Sequence, residues 1–255
     1  MKQKLYTTQN QGHSTNMLLA AGAPETETKH GHKGFGIVSA LSGLCVGATS
    51  RPILFSPPMV KAILKDFKTQ TRRVVKNQSD CNVLEYGHDW EIKELLAQCP
   101  YGKVGDKLWV RETWWKRPFL TSKDLRDGAD TWPKFEYETE KLMAWNNDDL
   151  RNYGWKRMPS IFMPREACRI ELTITGIRIE RLNEISESDS LHEGITSRVT
   201  GVKPFDLIYQ IPNSPNYYYS ARQAYSALWA NVNGKESWKE NPFVWVIEFQ
   251  KTNDI

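Results

Sequence analysis

The spacing of the strand-like segments is the feature that most constrains the fold of this chain. Apolar or β-branched runs predict strands at 53–55, 71–75, 107–111, 170–179 and 243–249. With the predicted helices, the order of elements is β, α, β, β, β, α, α, β. These strands are too few and too far apart for a doubly wound parallel sheet, and no segment repeats as in a solenoid. We therefore expect an α+β fold, with a small mixed β-barrel and helices packed on it.

Three helices are predicted from their capping residues and the apolar spacing that follows. Ser56-Pro57 supplies an N-cap and a proline at the first helical position. Ser186 begins a capping-box pattern for a short helix that ends at Gly194, and Ser220 begins a similar pattern for a longer one. At Gly176 the alternation of the fourth strand changes phase, which predicts a bulge there.

Composition divides the chain into a tail and one domain. Residues 1–50 are rich in small and polar residues without a sustained period, so we expect a poorly ordered N-terminal tail. Residues 51–255 are expected to form the domain, with loop insertions near 116–160 and 197–218. The longest largely apolar stretch, 35–48, is too short to span a bilayer and is wrongly placed for a secretory signal.

The distribution of charge and cysteine limits the expected partners. The net charge is +4, and the first 50 residues, with four lysines and two glutamates, carry half of it. A domain that wraps duplex nucleic acid usually has a stronger basic field, so the charge favours a small ligand over a long duplex and leaves a single-stranded partner open. The cysteines lack close spacing, so we expect a reducing cytoplasm, no metal site and no cofactor; they are Cys45, Cys81, Cys99 and Cys168.

One local exception to the weak charge is the segment 61–76, which has six lysines and arginines against Asp66. If the strand at 71–75 is extended, Thr71 and Arg73 share a face, and Lys68 reaches the same end. A lysine beside an arginine in a partly dry pocket has a lowered pKa, as an amine needs in order to act as a base or nucleophile. The alternative is a solvated basic helix face and turn.

Two other segments carry candidate functional residues. Trp109, Arg111, Glu112 and Trp114 combine a strand, a charge pair and indoles, and each stacked base contributes ~1–3 kcal/mol to binding. Packing of the domain core is the alternative, above all for Trp109. Glu193 lies in the last turn of a short predicted helix, where the helix dipole disfavours a carboxylate, and such conflicts gather at functional sites. An exposed carboxylate at a frayed helix end is the alternative.

From about residue 51 to 251, the chain resembles the ASCH superfamily of PUA-like domains, and more closely a set of phage- or prophage-encoded members. The landmarks of this resemblance are Pro52-Ile-Leu-Phe-Ser56, Lys68-Thr-Gln-Thr-Arg-Arg73, Val104-Gly-Asp-Lys-Leu-Trp-Val-Arg-Glu-Thr113, Pro159-Ser-Ile-Phe-Met-Pro-Arg165, Glu193-Gly-Ile195 and Asn241-Pro-Phe-Val-Trp-Val-Ile-Glu-Phe249. Several ordered landmarks are more specific than any one of them.

The superfamily signature is Gly-x-Lys-x-x-Glu-x-Arg. Lys68 and Arg73 match it, whereas Asp66 stands at the glycine position and Thr71 at the glutamate position. A threonine there is similar to the small ASCH amidohydrolases that act on N(4)-acetylcytidine with a lysine, a threonine and a glutamate. The resemblance therefore implies Lys68, Thr71 and Glu193 as catalytic residues.

By this resemblance, the chain is expected to have a PUA-like pocket that binds a nucleobase, a nucleoside or RNA, and to hydrolyse an N-acyl amide. Lys68 or Glu193 would activate the attacking hydroxyl or water, and Arg73 or a backbone amide would stabilise the oxyanion. If Lys68 and Glu193 are in contact, each keeps the other charged, so Glu193 becomes the better candidate for proton transfer. Two alternatives stay open, namely a non-catalytic module for single-stranded RNA or DNA and a phage-encoded assembly or host-takeover factor.

Overall fold

A computed structural model of the chain describes residues 48–126, 128–139, 145–201 and 206–252. The tail expected at 1–50 lies outside the described residues up to position 47. The first strand begins at Ser50, one residue inside the predicted tail.

The helices and strands of the described residues follow in chain order. The helices are α1 (Pro57–Leu64), α2 (Val83–Tyr86), α3 (Asp89–Ala97), α4 (Ser122–Arg126), α5 (Asn147–Asn152), α6 (Glu187–His192) and α7 (Ala221–Asn233). The strands are β1 (Ser50–Leu54), β2 (Gln70–Val74), β3 (Lys107–Arg111), β4 (Trp114–Lys116), β5 (Phe135–Tyr137), β6 (Lys156–Met158), β7 (Glu171–Arg181), β8 (Thr196–Val199), β9 (Leu207–Gln210), β10 (Tyr217–Tyr218) and β11 (Phe243–Lys251).

The largest sheet has five strands in the order β1-β3-β7-β11-β2. β1 and β3 are parallel, and the other pairs are antiparallel. Glu248 pairs with Gly176 and Phe249 with Ile174, so Thr175 is the extra residue of a bulge on β7. The bulge predicted at Gly176 is therefore confirmed.

β11 shows why a nearly continuous apolar run forms a central strand. Its odd-numbered residues, such as Trp245 and Ile247, lie in one core cluster with Ile53 and Leu108. Val244 and Val246 lie in a second cluster on the opposite face of the sheet. Because both faces are covered, the strand carries apolar side chains at successive positions and not at alternate ones.

The predicted caps explain where the helices that flank the sheet begin. The Ser186 hydroxyl accepts a hydrogen bond from the Asp189 backbone N–H (3.0 Å), at the start of α6. The Ser220 hydroxyl accepts one from the Gln223 N–H (3.1 Å), at the start of α7. α7 packs on the second core cluster through Ala224, Tyr225 and Trp229.

The segments expected to be loops contain short strands. One antiparallel three-stranded sheet, in the order β5-β4-β6, lies in the insertion expected at 116–160 and begins two residues before it. Another, in the order β10-β9-β8, lies in the insertion expected at 197–218 and begins one residue before it. Each strand has two to four residues, which is too short for alternation to be recognised in the sequence. α2 and α3, in a polar stretch, were also not predicted.

The α+β class is confirmed. The described strands form three separate sheets, and β1 and β2 are the edges of the largest one. Closure into a barrel therefore stays a prediction. Among the described residues, no helix combines the length and apolar character that a membrane crossing requires.

Candidate functional site

The candidate site lies where β2, an edge strand, meets the end of α6. An isolated antiparallel bridge joins Lys68 to Glu193, and the Thr69 N–H donates to the His192 carbonyl (2.9 Å). Gly194 follows with a φ of +100°, and a methyl group there would lie 3.4 Å from Lys68 Cβ. A glycine is therefore needed for the backbone to turn so close to Lys68.

Glu193 is held by two cations in the interior of the protein. Lys68 Nζ lies 2.7 Å from Glu193 Oε2 and also donates to the Glu193 carbonyl at 2.9 Å. Arg72 Nη1 lies 3.0 Å from Glu193 Oε1. All three side chains are at most 3% exposed, so the attraction among them offsets a desolvation cost of several kcal/mol per ion.

Burial and neighbouring charges act in opposite directions on these groups. Burial lowers the pKa of Lys68 from its ordinary value, although the adjacent Glu193 carboxylate opposes this effect. Burial also lowers the pKa of Arg72, but the carboxylates of Glu193 and Glu180 outweigh it, so the pKa is raised. Burial, followed by the charge of Glu193, raises the pKa of Tyr225 well above its usual range. Of the two cations that hold Glu193, Lys68 therefore loses its proton more readily than Arg72.

An outer network of ions fixes Arg72. Its guanidinium contacts Glu180 and lies 3.1 Å from Asp189 Oδ2, while Gln70 Oε1 accepts from Nη1 at 2.6 Å. Arg178 bridges the same two carboxylates. Burial raises the pKa of Asp189, but the nearby Arg178 and Arg72 outweigh it and lower that pKa. Arg72 is therefore a rigid cation that holds Glu193 in place.

A pocket of about 80 Å³ lies beside this network. Thr71 and Glu193, two of the three residues that the resemblance implies as catalytic, line it, and so does Arg73. Lys68 is not among the lining residues and reaches the pocket only through Glu193. The full lining is Met59, Thr71, Arg72, Arg73, Val74, Glu193, Tyr225, Leu228, Trp229, Val232 and Asn233.

At the pocket, no strand of the described residues pairs with the outer side of β2. The Phe249 N–H donates to the Thr69 carbonyl, and the Val75 N–H donates to the Phe243 carbonyl. Because hydrogen-bonded pairs alternate along an antiparallel ladder, the odd-numbered residues of β2 bond to β11. The N–H and C=O of Arg72 therefore point to the outer side, where no described strand pairs with β2.

Two buried donors on the pocket lining lack hydrogen-bond partners among the described residues. They are Trp229 Nε1 and Arg73 Nε. A buried donor without a partner costs about 1–3 kcal/mol, and both atoms are buried from the pocket in this arrangement of side chains. The helix α7 was predicted from its capping pattern at Ser220, but nothing in the sequence placed Tyr225 and Trp229 beside β2.

Some cations of the basic segment 61–76 lie on a solvated face, and others are buried at the candidate site. Lys61, Lys65 and Lys76 are exposed, as on a solvated face. Lys68 and Arg72 are 2% and 4% exposed and form the site. Arg72 points away from Thr71 and Arg73, as the strand alternation predicts, and its guanidinium lies 5.8 Å from the Tyr225 ring.

The structure does not bring the other candidate residues to the pocket. Glu112 is 1% exposed and forms a bidentate ion pair with Arg169 at 2.9 and 3.1 Å. Trp114 is buried against Phe135 in a separate core cluster. The contacts of Glu112 and Trp114 are therefore those of buried residues within the fold, and not of a ligand site.

The remaining two candidates also pack against neighbours outside the pocket. Arg111 donates to the Ile161 carbonyl. Its guanidinium lies 5.4 Å from the Trp109 ring, and Arg165 lies at 5.8 Å from the same ring. Trp109 therefore lies beside two arginines and does not line the pocket beside β2.

Within the described ranges, no three His, Cys, Asp or Glu side chains are grouped so as to hold a metal ion. No protein-family model matches the chain, and no curated protein or solved structure is similar to it.

Proposed function

We propose that the pocket beside β2 binds the polar edge of a nucleobase-like ligand. The observation that carries the proposal is the free edge of β2 at the pocket, with the Arg72 N–H and C=O directed outward. The edge of a nucleobase presents donors and acceptors side by side, so a backbone N–H and C=O pair can match it. The Thr71 hydroxyl adds a group that both donates and accepts.

The size of the pocket limits how much of a ligand it can hold. Pockets that enclose a whole small molecule measure about 300–1000 Å³, against about 80 Å³ here. Only the end of a nucleoside would therefore enter. Apolar side chains such as Met59 and Val232 line the same pocket and would contact the face of the base.

Hydrolysis of an N-acyl amide, as on N(4)-acetylcytidine, is the second candidate function. Thr71 and Glu193 line the same pocket, and Lys68 contacts Glu193 at 2.7 Å. In this mechanism a water or the Thr71 hydroxyl attacks the acetyl carbon, and its proton passes to the Lys68–Glu193 pair. The C–N bond then breaks and the leaving amine takes that proton, which releases cytidine. If water attacked, acetate is formed in the same step; if Thr71 attacked, a water then cleaves the acetyl ester of Thr71 and releases acetate.

Two observations support the resemblance to the ASCH superfamily, which we keep as a proposal. Asp66, at the position of the signature glycine, has a φ of +58°, a conformation that glycine adopts without strain. Arg73 Nη2 on one edge strand donates to the Leu54 carbonyl on the other (2.6 Å). The two edges therefore approach each other, which supports a sheet curved as in a PUA-like barrel.

Calorimetric titration with cytidine and N(4)-acetylcytidine, together with an assay for released acetate, tests both candidate functions. Thr71→Val keeps the shape of the side chain but removes its hydroxyl. We expect it to reduce turnover by on the order of 10²-fold or more. Thr69→Val is the matched control, because Thr69 precedes β2 and does not line the pocket; it should leave turnover unchanged.

The outcomes separate the candidate functions. Saturable binding without acetate release would leave the binding function and remove the hydrolytic one. If neither ligand binds, the proposal is wrong. Binding of single-stranded RNA with a steep salt dependence, and without binding of either nucleoside, would instead support a non-catalytic nucleic-acid module.

A further inference from the structure

Tyr225, on α7, has a buried side chain whose hydroxyl lacks a partner in the described part of the chain. The residue lines the pocket beside β2 and is 3% exposed. Its hydroxyl forms no hydrogen bond with a described residue, and yet it is not among the enclosed side-chain atoms that lack a partner. The oxygen is therefore accessible. Because the rest of the residue is buried, this access is through the pocket.

The aromatic ring of Tyr225 is fixed by its neighbours. Its centroid lies 6.3 Å from that of Trp229 and 6.2 Å from that of Trp238. The Arg72 guanidinium lies 5.8 Å from the ring. Buried tyrosines usually give their hydroxyl a hydrogen-bond partner. Since no described residue supplies one here, the partner of this hydroxyl is a molecule that enters the pocket.

The Tyr225 hydroxyl is a permanent donor. Burial, followed by the charge of Glu193, raises the pKa of Tyr225 well above its usual range, so the phenol keeps its proton near neutral pH. Glu193 lines the same pocket, but both of its carboxylate oxygens already accept from Lys68 and Arg72. The phenol proton is thus available to an acceptor atom of a ligand.

The other polar side chains of the lining are mostly engaged within the protein. All three guanidinium nitrogens of Arg72 donate to side chains of the ion network. Asn233 Nδ2 donates to a main-chain carbonyl of α7 at 3.2 Å, and Arg73 Nη2 donates to a main-chain carbonyl of β1 at 2.6 Å. The hydroxyls that remain are those of Tyr225 and Thr71.

We propose that the Tyr225 hydroxyl donates a hydrogen bond to the acyl oxygen of an N-acylated base, so that Tyr225 determines specificity for ligands with a carbonyl at the end that enters the pocket. This inference rests on the proposed function, because the pocket must hold that end of the ligand. Its volume of about 80 Å³ is a few times the roughly 30 Å³ of one water molecule, which suits an acetyl group but not a whole nucleoside. In the hydrolytic mechanism, the same hydroxyl stabilises the negative charge that develops on this oxygen.

A comparison of N(4)-acetylcytidine with N(4)-ethylcytidine tests this inference on the full chain. The ethyl ligand has a methylene group in place of the acyl carbonyl and is otherwise alike. Stopped-flow tryptophan fluorescence measures binding before any turnover, with Trp229 of the lining as a reporter. We expect Tyr225→Phe to weaken binding of the acetyl ligand about tenfold and to leave binding of the ethyl ligand unchanged.

Tyr137→Phe is the matched control. Tyr137 is also buried, but its hydroxyl donates to the Ala167 carbonyl at 2.9 Å, and it does not line the pocket. Loss of this hydrogen bond should lower Tm by about 2–4 °C and change neither affinity. Tyr225→Phe removes a hydroxyl that has no partner among the described residues, so its Tm should equal that of wild type.

A Tyr225→Phe protein that binds both ligands like wild type would overturn the inference and leave the proposed function standing. Equal weakening of both ligands, with or without a fall in Tm, would also overturn it, because the hydroxyl would then act on the fold or on another part of the ligand. If wild type binds neither ligand, the proposed function fails and this inference with it.

Discussion

The Lys68–Glu193 pair provides a direct test of how the site is held together. Lys68→Met keeps a side chain of similar length and removes the ammonium. Lys68 is 1% exposed on its side chain and donates to Glu193 Oε2 at 2.7 Å and to the Glu193 carbonyl at 2.9 Å. Removing one partner of a buried ion pair costs about 3–5 kcal/mol.

The structure indicates the lower end of that range. Glu193 would keep Arg72 Nη1 at 3.0 Å, so its charge is not left without a partner. We expect a loss of about 3 kcal/mol in the free energy of unfolding. For a chain of this size, that lowers Tm by roughly 6–12 °C.

Urea unfolding followed by tryptophan fluorescence measures this loss. Lys65→Met is the control, because Lys65 is exposed and should change stability by about 0.5 kcal/mol or less. In a double-mutant cycle with Glu193→Gln, the coupling energy should be about 0.5–3 kcal/mol. A loss below about 1 kcal/mol for Lys68→Met, or strictly additive changes, would refute the argument that this contact stabilises the fold.

Two further predictions concern the same site. The pKa of Asp189 is lowered from its ordinary value of 3.8, so its contribution to stability is present above that value and is lost as pH falls through the folded-state pKa. The difference in unfolding free energy between Asp189→Asn and wild type should therefore shrink when urea titrations move from pH 7 to about pH 3. An unchanged difference would contradict the ion-pair explanation. Gly194→Ala should destabilise more than Gly234→Ala by about 1 kcal/mol or more in the same assay, because both glycines have a φ of +100° but only at Gly194 would the new methyl group contact neighbours, at 3.3–3.4 Å. Equal losses would show that backbone conformation alone sets the cost.

Much of the fold could be predicted from the sequence because its signals are local. Capping residues and proline placed the starts of α1, α6 and α7. A nearly continuous apolar run predicted the strand β11, and a change of phase placed the bulge at Gly176. Each of these signals lies within about ten residues of the feature that it predicts.

The short sheets and the outer ion network could not be predicted in the same way. β4 has three residues and pairs with β5 and β6, which lie about 20 and 40 residues further along the chain. Arg72 is stabilised by Glu180 and Asp189, more than 100 residues away. Such contacts depend on how the sheet is assembled, and a single sequence holds no periodicity that records them.

The ion network and the pocket call for different kinds of test. Lys68, Arg72 and Glu193 are buried together, so replacing any one of them lowers stability whether or not the protein has a catalytic function. Loss of turnover in those variants would therefore not distinguish a catalytic role from a structural one. Thr71 lines the same pocket and takes no part in the ion pairs among the described residues. A Thr71→Val protein that unfolds like wild type and still binds ligand, but releases no acetate, would assign the chemistry to the pocket and not to the stability of the network.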